Sequence, residues 1–538
     1  MSAGIRRLLL IPALLLGGAL RFATIVFGIA RYLARRLTRV AVALAAATVL
    51  APAAVAGQEP GYRITTPGSP FGIAAGYLYG YQGVEPYTFM PHVRALGGGF
   101  TKVYLFWNQI EPEKGRYDWT AVDVMLAQLQ SPDEALVSVF SSSMWATQRP
   151  SAQLPPSPAK DPGDYYRFVR TLVTHCKGRV RYWQNDAEPA NALYWSGTKE
   201  EYVAALKLFA TAVREADPAA VVVVGGHDGL FTPPGAPGFP FPNQQAGLDF
   251  FDYVIKEAQD AFDVFDLRLY ADPYTIVPRV EYLRGRLRAQ GADKPIFCTE
   301  YGGPNLFELP ENRKYIPLVA SWSQSVTGGG PGQAGGKNPI EELYDNRASL
   351  APQTQMFLQD ASPELEAKYQ RIQARSLVVR NLFALSAGVQ KTVYWYLPAT
   401  PIAGADRFNL MALMYGKIGL LEVEGKALGK RTVSADAFER MARTLAGVES
   451  VAQVALADAP DVFLFRVERG KRGPAYAIWQ RRDQFAGEDA PAVSVEIPWT
   501  AKKPTAIDAL GQAVAVKLEG QRLSLPVSLT PIFLEPGR

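Results

Sequence analysis

The stretch RYWQNDAEPANALYW, residues 181–195, carries the reading of the fold. Its first half lacks helical spacing and reads as a short buried strand that runs into Glu188-Pro189. Downstream, EEYVAALKLFATAVREADP (200–218) sets Tyr202, Leu206, Phe209 and Val213 on one face of a helix that Asp217-Pro218 ends. The same alternation repeats outward in both directions. Strand candidates are 71–75, 101–106, 136–141, 180–185, 221–225, 265–270, 295–300 and 392–396. Between them lie further amphipathic helices. VPRVEYLRGRLRAQG lines Val280, Leu283 and Leu287 on one face before Gly291, and AKYQRIQARSLVVRNLFALSAGV is closed by Gly388. Eight strands alternating with helices predict a (β/α)8 TIM barrel with insertions. A doubly wound open sheet is the alternative, but no Gly-rich turn follows the first strand to support a nucleotide site.

After a helix at 435–445 the texture changes. VFLFRVER, PAYAIWQRR, AVSVEIPW, AVAVKLEG and RLSLPVS are short alternating runs separated by turn residues. They predict a small C-terminal antiparallel β-sandwich packed on the barrel. The expected organisation is a leader over 1–56, the barrel over 57–448 and the sandwich over 449–538. Length supports two domains, and 48% hydrophobic with 20% charged residues is globular composition.

The net charge of +5 has a local origin. Residues 1–56 hold seven arginines and no acid, leaving 49 basic and 51 acidic residues in the body. The body therefore has no electrostatic case for nucleic acid. RYLARRLTR followed by VAVALAAATVL and Ala54-Val55-Ala56 reads as an export signal cleaved after Ala56. The expected location is periplasmic or secreted. The apolar run 8–30, broken by Arg21, gives an alternative membrane anchor if the segment stays uncleaved. Cys176 and Cys298 read as two buried thiols, and His92, His175 and His227 lack metal-ligand spacing, so no metal site and no cofactor are expected.

Three connections exceed plain βα loops: LFTPPGAPGFPFPNQQAG, the run from Tyr301 to about Pro363 containing TGGGPGQAGGKNP, and the one after strand eight. All three belong at the C-terminal face of a barrel, where active sites are built. The Gly-rich piece follows no strand and opens no helix, so it reads as a surface loop or lid and not as a phosphate cradle. Glu188 ends strand four and Glu300 ends strand seven, in KPIFCTEYGGP. Strands four and seven face each other across a barrel mouth. Retaining glycosidases need two such carboxyls about 5–5.5 Å apart, one protonated and one ionised.

WNQIEPEKGRYDW (107–119), SSSMWAT (141–147), YWQNDAEPAN (182–191), DLRLYADPY (266–274), TEYGGP (299–304) and VYWYL (393–397) together resemble the clan A glycoside hydrolases, family 39 in particular, from about residue 70 to the C-terminus. The resemblance implies a retaining glycosidase acting on an oligo- or polysaccharide. It assigns Glu188 as acid/base, Glu300 as nucleophile, Tyr270 as the tyrosine that steadies the nucleophile, and Trp395 as a sugar platform. It puts Trp145 where strand three commonly offers an aromatic, a position equally suited to core packing. Glu111 and Glu113 read as structural.

Three departures stand out. Ala187 replaces the Asn that usually contacts the sugar 2-OH, leaving Asn185 or Asp186 as substitutes. Arg268 replaces a frequent His; it could neutralise a nearby acid such as Glu188, or bind a substrate carboxylate, and if it faces the cleft it suits a uronate. Lys102 replaces a frequent Arg. The departures also motivate a different class of function, a non-catalytic carbohydrate-binding protein on a degenerate barrel. A transglycosylase or glycosidase of exopolysaccharide production is a third reading.

Overall fold

A computed structural model describes residues 62–77, 88–236, 244–319, 338–399, 402–425 and 427–537. The export signal and anchor expected within 1–56, nearly all of the Gly-rich piece, and part of the loop after strand five lie outside the described residues. Among the described residues no helix is long and apolar enough to cross a membrane.

Eight strands pair in parallel in chain order and close into a barrel: β1 (Phe71–Tyr77), β2 (Phe100–Phe106), β3 (Glu134–Phe140), β4 (Tyr182–Asn185), β5 (Val221–Val224), β6 (Val264–Asp266), β7 (Ile296–Tyr301) and β8 (Val389–Tyr394). A helix of the outer layer follows each in turn: α1 (Met90–Ala95), α2 (Thr120–Gln128), α3 (Pro162–His175), α4 (Lys199–Ala216), α5 (Gln244–Ala258), α6 (Ile276–Ala289), α7 (Pro363–Ser386) and α8 (Val433–Thr444). Local chemistry sets their ends. Thr198 and Glu201 form a reciprocal capping box at the start of α4, which buries Tyr202, Leu206, Phe209 and Val213 and stops at Asp217.

Strand alternation divides the side chains into two sets. Val103, Val137, Trp183 and Phe265 face the helices and join the main core. Phe100, Tyr182 and Phe297 face inward and meet edge to face, filling the bottom of the barrel. One layer higher, the inward positions turn polar, with Lys102, Ser138, Gln184, Asp266 and Thr299 all buried. This layer supports the mouth.

The expected strand at 265–270 is cut short: β6 ends at Asp266. The Asp266 carboxylate accepts from the Thr299 backbone N–H at 2.8 Å and from its hydroxyl at 2.6 Å, taking a donor the β6–β7 ladder would use. The chain beyond stays beside β7 through Leu267 N to Phe297 O (2.8 Å) and Leu269 N to Glu300 O (3.1 Å).

After β8 comes a small sheet of β9 (Pro398–Ala399), β10 (Leu421–Glu424) and β11 (Ala427–Arg431). The C-terminal sandwich follows. One sheet has the order β12 (Ser450–Val454), β13 (Val462–Glu468), β14 (Ala475–Gln480), β19 (Ile532–Pro536), β16 (Pro504–Asp508); the other joins β15 (Val493–Pro498), β18 (Arg522–Val527) and β17 (Lys517–Glu519). Leu464, Ile478 and Leu534 meet Val495, Ile497, Leu523 and Leu525 between the sheets. The opposite face of the larger sheet packs Phe463, Phe465 and Trp479 on Phe383 of α7. Of the run AVAVKLEG only 517–519 forms a strand, and β12, β16 and β19 were absent from the sequence expectation. Cys176 and Cys298 are both buried free thiols.

Candidate active site

Glu188 stands three residues beyond β4, and the turn that presents it is built by Asp186. Asp186 adopts φ of +52°, a conformation Asp tolerates better than most side chains. Its carboxylate accepts from Ser141 N at 2.9 Å and from the Ser141 hydroxyl, pinning the turn to the end of β3. Burial pushes the Asp186 carboxyl up to about 7, against the pull of those donors. The turn also needs Gly225 after β5, where a Cβ would fall 2.1 Å from Ala187 O.

Glu300, on β7, is 5% exposed and fully engaged. Its Oε1 accepts from Lys102 Nζ at 3.2 Å and from the Tyr104 hydroxyl. Its Oε2 accepts from Tyr270 Oη at 3.0 Å and pairs with Arg268 Nη1 at 2.5 Å. Burial opposes ionisation of Glu300, but Arg268, Lys102 and the Tyr104 hydroxyl outweigh it and hold the carboxyl below its ordinary range. Burial, reinforced by Glu300, pushes the Tyr270 phenol well up, so it stays protonated and donates.

Arg268 joins the two glutamates. The same Nη1 lies 3.2 Å from Glu188 Oε1, and Nε lies 3.7 Å from Asp266 Oδ2. The Nη1 contacts to Glu300 and Glu188 hold the facing carboxylate oxygens no more than about 5.7 Å apart, short of the spacing for inversion. Arg268 itself is 3% exposed, and its Nε and Nη2 are closed off from solvent without hydrogen-bond partners. The uronate reading needed a guanidinium edge open to the cleft; the guanidinium instead neutralises the protein's own carboxylates Glu188 and Glu300.

The expected site residues separate into two groups. Glu188, Glu300, Arg268, Tyr270 and Trp395 converge, with Trp395 just past β8 and edge to face with Tyr104 at 5.4 Å. Asn185 does not join them. It is one position from the inward-facing Gln184, so it points to the helices, where it accepts from Tyr165, donates to Asp186 at 3.2 Å, and has its carbonyl bonded by Tyr202. Trp145 also stays outside. It donates to Glu111 O at 2.9 Å and packs on Trp107, so core packing explains it. Glu111 is buried and bonded by Trp107, Gly115 and Arg167, while Glu113 is exposed.

Three site residues were missed. Tyr104 lies two positions after Lys102, hence on the same inward face, and strand alternation could have found it. His227, just beyond β5, brings Nε2 to 3.8 Å from Glu188 Oε2 while Nδ1 meets the Asp228 carbonyl. Tyr415 packs on Tyr270 with ring centres 5.1 Å apart from a segment with no motif to mark it.

No protein-family model matches the sequence, and no curated protein matches it. Solved structures do match. A family 39 glycoside hydrolase from Bacteroides cellulosilyticus WH2 aligns with a TM-score of 0.57 at 14% identity, covering 87% of this chain and 81% of its own. A family 51 α-L-arabinofuranosidase from Bifidobacterium longum aligns at 0.54 with 12% identity, covering 89% and 97%. A monomeric β-xylosidase from Caulobacter crescentus CB15 aligns at 0.51 with 15% identity, covering 88% and 98%. The resemblance to family 39 holds for the fold. Identities this low speak to architecture, so the chemistry must be argued from the site.

Proposed function

We propose that the protein is an exported retaining glycoside hydrolase acting on an oligo- or polysaccharide by double displacement. The observation that carries this reading is the Arg268 bridge, which draws Glu188 and Glu300 to within about 5.7 Å at the barrel mouth. Glu300, held ionised by Arg268, Lys102 and two tyrosines, attacks the anomeric carbon. Glu188 protonates the leaving oxygen and then takes a proton from the water that cleaves the glycosyl ester. Trp395 and Tyr415 offer aromatic surface beside the pair, suited to the C–H face of a sugar ring. The fold shared with glycoside hydrolases of families 39 and 51 raises the prior for this class.

The test is turnover of aryl-glycoside and polysaccharide panels by wild type, Glu300→Gln and Glu188→Ala, with the product anomer read by NMR. The expected result is retained configuration and loss of at least three orders of magnitude in Glu300→Gln. Full activity in Glu300→Gln, or an inverted product, refutes the assignment. Calorimetric sugar binding without cleavage across the panel would support the carbohydrate-binding alternative.

A further inference from the structure

Arg268 and Tyr270, two of the four side chains on Glu300, stand on a segment that the sheet grips along one edge. β6 ends at Asp266, and its neighbour β5 ends at Val224. Toward β7 the segment keeps backbone bonds from Leu267 N to Phe297 O and from Leu269 N to Glu300 O. Alternation turns the peptide groups of Arg268 and Tyr270 to the opposite edge, beyond the end of β5. Buried peptide groups need partners there.

Side chains take the place of a strand on that edge. Asp228, just beyond β5, accepts from Tyr270 N at 3.2 Å. Arg279 of α6 donates Nη2 to Arg268 O at 3.1 Å and to the same Asp228 oxygen at 2.5 Å. Arg380 of α7 donates Nη1 to Ala271 O and Nη2 to Tyr270 O at 3.4 Å. The same Nη2 pairs with Glu308, in the loop after β7. Gly303 in that loop leaves room for the guanidinium, since a Cβ there would collide with it. Arg279 is 0% exposed and Arg380 1%. Each guanidinium is a rigid fork, so it fixes the position of its acceptors as well as their charge.

We infer that Arg279 and Arg380 are positioning residues: reaching in from the outer helices, they hold Arg268 and Tyr270 against Glu300. Glu300 is faced by Lys102 and Tyr104 from β2 and by Arg268 and Tyr270 from this segment. Beyond them stand Tyr415 behind Tyr270, Glu188 and Asp266 on the other contacts of Arg268, and Cys298 on the same strand. A shift of residues 268–271 would loosen two of the four direct contacts together. The inference rests on the glycosidase reading for its kinetic readout and on the contacts alone for its thermal one.

The experiment removes each arginine with its acid, as Arg380→Met/Glu308→Gln and Arg279→Met/Asp228→Asn, so that no buried charge is left alone. Arg380→Lys, which keeps the charge and loses the fork, is the milder third variant. On the aryl glycoside that wild type turns over fastest, each is expected to lower kcat/KM by about 10–100-fold, the scale of a small misplacement at a reacting centre. The acid limb of the pH profile should move upward, because Glu300 becomes harder to ionise. In a Tyr270→Phe background the Arg380 variants should cost at least about threefold less than in wild type, since part of what they position is already gone. Scanning calorimetry reads the same coupling without turnover: Tyr270→Phe should lower Tm less in the Arg380→Met/Glu308→Gln protein than in wild type. A purely structural role predicts a lower Tm, equal costs in both backgrounds and an unmoved acid limb, and that result would overturn the inference. A wild type without turnover sinks the glycosidase reading, and the calorimetric cycle then decides this one by itself, additivity in Tm being the contrary result.

Discussion

Replacing Arg268 by Met tests the central feature of the site. The substitution keeps the aliphatic stem and removes a charge lying 2.5 Å from Glu300 and 3.2 Å from Glu188. At an effective dielectric constant near 20, unit charges at those distances attract by roughly 5–7 kcal/mol each. The cost of burying three ions offsets much of this, and removing one partner of a buried pair typically leaves a net loss of about 3–5 kcal/mol. For a body of 480 residues (Glu59–Arg538), an unfolding entropy of about 1 kcal/mol per degree turns that loss into a fall of roughly 3–5 °C in Tm. Scanning calorimetry on wild type, Arg268→Met, Glu300→Gln and the double variant reads the coupling. The double variant should lie at least about 1.5 kcal/mol above the sum of the singles, since Met no longer faces an ionised Glu300. The pH dependence gives a second readout. Glu300 has a depressed folded value, so its stabilising contribution is complete above its ordinary value of 4.5 and is lost as pH falls through the lowered one. The gap between wild type and Arg268→Met should therefore close in acid. Additive single effects, or a gap that is constant down to pH 3, would refute the bridge.

Tyr104→Phe and Tyr270→Phe each remove a hydroxyl from Glu300 and, under the proposed mechanism, should cut kcat/KM by about 10–100-fold, with the acid limb of the pH profile moving upward because Glu300 becomes harder to ionise. An unmoved acid limb would count against their role. Asp186 has a folded value near 7, raised from 3.8, so wild-type stability must drain away as pH climbs between those values; Asp186→Asn should gain in Tm relative to wild type over that window, and a constant difference would be contrary. Gly225→Ala and Gly226→Ala would drive a Cβ to 2.1 Å from Ala187 O and 1.8 Å from Asp266 O, both backbone atoms. Each should lower stability by roughly 3 kcal/mol or more, seen as loss of soluble protein or a depressed Tm.

The barrel was legible because each of its strands and helices carries its own period, and Glu188 and Glu300 were legible because strand ends mark the mouth of such a fold. Side-chain direction was less so. Asn185 follows directly after Gln184, and alternation alone should have sent it to the helices; proximity in sequence to Glu188 was a poor guide. The length of β6 was hidden in a side chain, since Asp266 takes the Thr299 N–H for itself. Arg268 could be recognised as unusual but not oriented, because its partners come from β4 and β7, 80 and 32 positions away. His227 and Tyr415 owe their places to chain closure across the mouth, a contact that no local pattern records.

The buried charges beneath the mouth suggest why an arginine stands at position 268. A continuous chain of hydrogen bonds runs from Ser138 through Gln184, Asp266 and Thr299 to Lys102 and Glu300. Glu188, Glu300 and Asp266 face two basic side chains, Arg268 and Lys102; burial lowers the pKa of Lys102 against the pull of Glu300 and Asp266, and the Asp228–Arg279 pair beside them is balanced on its own. With all three carboxyls ionised and Lys102 protonated, the set carries one negative charge in a region of low dielectric. Under the proposed double displacement, neither working state does. When Glu188 holds the proton, Glu300 and Asp266 match the two cations. When Glu300 is esterified and Glu188 is the base, Glu188 and Asp266 match them again. A neutral side chain at position 268 would leave both states one charge short of balance, each at a desolvation cost. A fixed guanidinium touching both glutamates lets the negative charge pass from one to the other while its counter-charge stays where it is.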